Sequence, residues 1–144
     1  MMNVLITIIG TQRDGQGEES RIELITVGRC YEKNGVRYIV YQDSEISGFE
    51  GVTTMLKLYD KHIVLVRTGR IDHTQEFCLG EKRHSAYITP YGTMQMSILT
   101  NSIQMALDGI TGSLEISYEL EMNGQWQSTN TLSISIQEES KSGY

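Results

Sequence analysis

The sequence predicts an all-β protein: one antiparallel up-and-down β-barrel of about eight to ten strands. Three observations predict it. Apolar and polar residues alternate over long runs, which marks strands with one dry face and one wet face. Turn-forming residues separate those runs at short intervals, which makes the strand order a meander. A meander of roughly ten twisted strands closes more readily than it stays flat, and closure removes exposed edges.

In chain order, the strand segments are 2–10, 21–32, 36–42, 52–59, 62–68, 73–79, 83–89, 92–106, 111–122 and 126–137. The alternation is clearest late in the chain. In SLEISYELEM, Leu114, Ile116, Tyr118, Leu120 and Met122 share one face, and Glu115, Ser117, Glu119 and Glu121 share the other. TLSISI sets Leu132, Ile134 and Ile136 against Ser133 and Ser135, and TMQMSI repeats the pattern with Met94, Met96 and Ile98. Asn34-Gly35 and Asn123-Gly124 supply the positive φ angles of tight hairpins. Further reversals are read at Asp60-Lys61, Gly69 to Asp72 and Gly80 to Lys82.

One long segment changes phase. Met94, Met96 and Ile98 have one parity, while Ile103, Met105 and Leu107 have the other. A β-bulge between Leu99 and Ser102 restores the inward face; a short helix capped by Asn101 or Ser102 is the alternative. RDGQGEES, Arg13 to Ser20, is polar and glycine-rich and reads as a long loop. Residues 1–137 form the single barrel domain, and the tail 138–144 has no apolar periodicity and frays.

The only proline lies in YITPYG, Tyr87 to Gly92. Pro90 fixes its own φ, pushes Thr89 into an extended conformation and cannot donate to a ladder, so it marks a strand end. Gly92 permits angles closed to other residues. The stretch therefore reads as a corner, with Tyr87 and Tyr91 packed around the proline or contacting a ligand.

Composition limits function. The chain has 144 residues, 21% charged and 39% hydrophobic, which fits one folded domain. A net charge of −6, with 12 Lys+Arg scattered singly, opposes nucleic-acid partners and anionic membranes. MMNVLITIIG has no basic residue before its apolar run, makes a poor signal peptide and is too short to span a bilayer. The protein is thus expected in the cytoplasm, with Cys30 and Cys78 as reduced, buried thiols.

Several stretches carry a resemblance. Tyr41-Gln-Asp-Ser-Glu45, Thr53-Thr54-Met-Leu56-Lys57, Arg67-Thr-Gly69 and Tyr87-Ile-Thr-Pro90-Tyr-Gly92, followed by Thr100, together resemble the YwiB-like family. These are small uncharacterised bacterial proteins with a calycin-like (lipocalin-like) β-barrel. The resemblance implies that fold over nearly the whole chain and brings no catalytic residues with it.

His62, His73 and His84 each open a strand, but successive strands of a meander start at opposite ends, which places His73 far from the other two. No metal site and no cofactor are expected. There is no nucleophile elbow, P-loop or dinucleotide fingerprint. Glu115, Glu119 and Glu121 could bind a divalent metal, as in barrel phosphohydrolases, only by facing inward. That would turn four large apolar side chains outward at roughly 1.5–3 kcal/mol each.

Arg67 follows Ile63 and Leu65 in parity and therefore faces the interior. It has two readings: an internal ion pair with Glu45, or a contact for an anionic ligand group. The residues expected to meet a ligand are Arg67, Glu45, Tyr87 and Tyr91. Two partner classes remain, a small molecule in the lumen and a protein on the outer surface; a packed lumen favours the second and an empty apolar one the first.

Overall fold

A computed structural model describes residues 2–42 and 51–139. Ten strands form one antiparallel sheet: β1 Met2–Asp14, β2 Glu19–Lys33, β3 Val36–Gln42, β4 Val52–Leu58, β5 His62–Gly69, β6 His73–Cys78, β7 Lys82–Thr89, β8 Gly92–Asp108, β9 Thr111–Met122 and β10 Gln125–Glu138. Their spatial order, β6-β5-β4-β3-β2-β1-β10-β9-β8-β7, is a meander wrapped so that the first and last strands pair. The β1–β10 ladder runs from Val4↔Glu138 to Asp14↔Ser128.

The barrel is nearly closed. Its one thin seam lies between β6 and β7, which share no continuous ladder. Asp72 and Ile88 exchange two backbone hydrogen bonds of 3.0 Å there, and at the other end the Gly80 amide donates to the Thr100 carbonyl at 2.9 Å.

Most turns follow the sequence reading. Asn34 and Gly35 have φ of 54° and 79°, and Asn123 and Gly124 have 51° and 83°. At the proline corner, Gly92 has φ 139°, and the Thr89 hydroxyl accepts the Tyr91 amide at 3.1 Å while donating to the Gly92 carbonyl at 3.0 Å. The phase change is a bulge: Thr100 opposes Tyr118 and Ser102 opposes Ser117, leaving Asn101 as the extra residue of an unbroken strand. The helical alternative is not adopted.

Three expectations are corrected. Arg13 to Ser20 is not a long loop. β1 and β2 keep pairing to Arg13↔Glu19, and Asp14 closes the reversal by accepting the amides of Gln16 and Glu18 through Oδ1, at 2.9 and 3.0 Å. An Asx-type turn satisfies these backbone groups, so polar, glycine-rich composition here marks a hairpin tip. Second, Tyr91 does not pack on the proline; at the apex of the turn it is 99% exposed. Third, His73 and His84 are not separated along the barrel. His84 lies inside β7, and its neighbour Ser85 meets the His73 ring, so the two histidines are divided by sheet face instead. At the C-terminus the pairing continues to Glu138, and the Glu139 amide donates to the Asn3 carbonyl at 3.1 Å.

The inward residues divide into two levels. Val4, Ile6, Ile39, Leu56, Ile63, Leu114, Ile116, Ile134 and Ile136 are fully buried and fill one end with branched apolar side chains. Towards the other end polar and aromatic side chains join the aliphatic ones at inward positions, and the filling stops.

Candidate functional site

The registers place one row of side chains across four neighbouring strands: Tyr41 opposes Thr54, Thr54 opposes Arg67 and Arg67 opposes His73. Across the barrel, Gln12 opposes Asn130, and Asn130 opposes Tyr118. Apart from Thr54, which is fully buried, these residues line the hollow end. It comprises a cavity of about 440 Å³ and an adjoining one of about 360 Å³. The two share Gln12, Leu65, Arg67, Tyr118, Leu120 and Leu132, so Arg67 stands where they meet.

The larger cavity is walled by Leu65, Phe77, Met94, Met96, Ile98, Leu120, Met122 and Leu132. Its polar groups are uncharged apart from Arg67: His73, Gln75, Tyr87, Tyr118, Gln12 and Gln127. Among the described residues, no carboxylate lines either cavity.

Electrostatics fix the state of several groups. His73 is 6% exposed, and its Nε2 lies 3.1 Å from the Ser85 hydroxyl. Ser85 in turn donates to Gln75 Oε1 at 3.3 Å, which leaves its oxygen to accept from Nε2–H and selects that tautomer. Burial first and the Arg67 charge second lower the His73 pKa to about 4, against an opposing contribution from Gln75. The ring is therefore neutral at pH 7. Tyr87 packs edge-on against it at 5.2 Å, and Tyr118 meets Phe77 in the same way at 5.2 Å. Burial raises both phenols above their usual range, and the Arg67 charge draws both partly back. All three effects report one guanidinium among uncharged rings.

Of the residues expected to meet a ligand, Arg67 and Tyr87 both line the larger cavity. Tyr91 is outside the cavity, and Glu45 lies outside the described residues. Arg67 already has an interaction partner. His73, Gln75 and Gln12 were missed as wall residues. The signal was present in HTQEF, where His73 and Gln75 share the parity of Phe77.

The other histidines face elsewhere. His62 stacks on Tyr59 with centroids 4.2 Å apart, and His84 Nδ1 lies 2.7 Å from the Ser97 hydroxyl. The acidic residues of β9 face outward: Glu121 pairs with Lys82 at 2.8 Å and Glu115 accepts from Ser133 at 3.1 Å. Burial pushes Glu119 up, but hydrogen bonds from Trp126, Thr129 and Asn101 outweigh it and hold the carboxyl below its usual range. A separate cleft of about 570 Å³ opens at the seam beside Cys78, where Arg83 pairs with Glu81 at 3.0 Å and Glu76 at 3.8 Å. Cys30 and Cys78 are both free and buried.

A barrel packed at one end, hollow at the other and lined there by apolar and uncharged polar groups around one cation defines the class: a small cup-shaped β-barrel. Within that class the chain belongs to the family described as "Domain of unknown function (DUF1934)", which it matches over residues 6–134. It is similar to the uncharacterized beta-barrel protein YwiB of Bacillus subtilis (strain 168), with 24% identity over 124 residues and 86% of each chain covered. The crystal structure of the B. subtilis ywiB protein has the same fold, with a TM-score of 0.76 at 22% identity over 93% of this chain and 91% of that one.

Proposed function

We propose that the protein is a non-catalytic, calycin-like barrel that binds a small, mainly apolar ligand in the hollow end of its lumen. One observation carries the proposal: the cavity of about 440 Å³, contiguous with one of about 360 Å³, in a barrel whose opposite end is fully packed. Ligand sites typically have volumes of about 300–1,000 Å³ and mostly apolar walls with few polar groups. Acid–base catalysis is disfavoured by the neutral His73 and by the uncharged wall around it. The negative net charge favours a small molecule over nucleic acid or an anionic membrane. No helix among the described residues is long and apolar enough to cross a membrane.

Native mass spectrometry of protein purified from cells tests the proposal. The expected result is a retained, releasable mass that disappears when the cavity is filled by Leu120→Trp. Protein that carries no added mass, and takes up no apolar probe on soaking, would defeat it.

A second reading rests on Ile25 and Val27, which are 59% and 52% exposed on the outer face of β2. Neighbouring apolar side chains on that face suit a protein partner. Chemical shifts confined to the outer face on adding cell extract would favour it over lumen binding.

A further inference from the structure

We infer that the outer face of β1 and β2 is where two copies of this chain meet, related by a two-fold axis that crosses β2 at Thr26. The inference goes beyond the lumen-binding proposal and commits this exposed face to one occupant, a second copy.

Composition is the first ground. Val4, Ile6 and Ile8 on β1 and Leu24, Gly28 and Cys30 on β2 are buried, so the odd-numbered positions of both strands point outward. Those positions include Leu5, Ile9, Ile25 and Val27, and the ladder sets Leu5 beside Val27. The corresponding outward positions of β9 and β10 are polar, as at Glu115, Ser117, Ser133 and Ser135. The apolar outer side chains of β1 and β2 are therefore not a general feature of the barrel wall. An apolar centre bordered by charged residues is the anatomy of a protein interface.

Charge order is the second ground. Along β2 the outward residues read Glu23, Ile25, Val27 and Arg29, and all four are exposed. Read backwards, that series is its own complement. A second copy laid face to face, with its β2 antiparallel about Thr26, sets Ile25 on Val27 and Glu23 against Arg29. The two-fold repeats each contact, as a closed isologous dimer requires. Within one chain these two charges cannot meet, because six residues of strand span about 20 Å. Glu23 has only an exposed contact with Arg21 at 3.3 Å, and Arg29 makes no ion pair among the described residues.

Sedimentation equilibrium of the full chain over a range of concentrations tests the inference. The expected result is a reversible monomer–dimer equilibrium in the micromolar range. Glu23→Arg and Arg29→Glu each bring like charges together at both ends of the interface, and each should weaken association at least about tenfold. Combined in one chain they restore opposite charges and should restore the dimer, which only a contact between copies can do. Val27→Lys places a cation in the apolar centre and should abolish association. All three positions are exposed, so the melting temperature of the monomer should not change.

A monomer at every concentration overturns the inference; if its outer-face resonances still shift in cell extract, the occupant is a different protein. A dimer that neither single swap weakens, or that the double swap fails to restore, is built on another face and overturns it equally. Lumen binding is read from retained mass and stands or falls separately.

Discussion

Acid should loosen this barrel through one ring. His73 is neutral in the folded state with a pKa of about 4, against about 6.5 when unfolded. Below pH 6.5 the unfolded chain takes up a proton that the folded chain refuses. The stability due to neutral His73 is therefore complete above pH 6.5, declines between pH 6.5 and 4, and falls no further below that. A difference of about 2.5 units at about 1.4 kcal/mol each gives an upper value of about 3.5 kcal/mol. Solvent reaching the open end of the lumen would screen the charged ring and reduce the expected loss to about 2 kcal/mol. Urea unfolding at several pH values between 7 and 4.5 measures it; at typical slopes the midpoint should fall by about 1 M. His73→Gln cannot titrate and should lose most of that dependence. An equal pH dependence in the variant, or a His73 resonance titrating near pH 6.5, would refute the reasoning.

Gly92 has φ 139° and open space around its missing Cβ, so Gly92→Val strains only the backbone; a loss of more than about 1 kcal/mol is expected in thermal unfolding. At Gly28 a Cβ would stand 2.5 Å from Ile6 Cδ1 and 2.6 Å from the Val40 carbonyl oxygen. Gly28→Ala should therefore cost about 1–3 kcal/mol, read as a lower denaturant midpoint. Glu119→Gln replaces a carboxylate that accepts from Trp126, Thr129 and Asn101 with an amide that turns a donor towards them. It should lose about 1–2 kcal/mol at pH 7, and that deficit should shrink as acid protonates the wild-type carboxyl.

The fold was legible because most inward positions are apolar and obey a period of two. Leu114 to Met122 and Leu132 to Ile136 announce their faces, and the parity change after Ile98 announces the bulge at Asn101. Legibility ended where the interior stops being apolar. Gln12 faces the cavity, so β1 seemed to end early although its ladder with β2 continues past it. His73 and Gln75 were hidden for the same reason: a polar residue facing a hollow interior looks like one facing water. Tyr91 misled because aromatic character says nothing about where a turn points. Arg67 was found through its parity with Ile63 and Leu65, but its row with Tyr41, Thr54 and His73 exists only once the registers are set.

The pairing of β1 with β10 also sets a timetable. The strand that closes the barrel is synthesised long after its partner, with eight strands between them. At roughly 5–20 residues per second, β1 spends on the order of ten seconds with one edge unsatisfied. Pairing between strands so distant in sequence carries a high contact order, so closure should be the slow step of folding. During that interval the nascent half-barrel offers a row of unpaired amides and carbonyls beside exposed Ile25 and Val27. Chaperone dependence and aggregation of truncated chains should follow from this late closure, and a circular permutant joining β10 directly to β1 should fold faster than the parent.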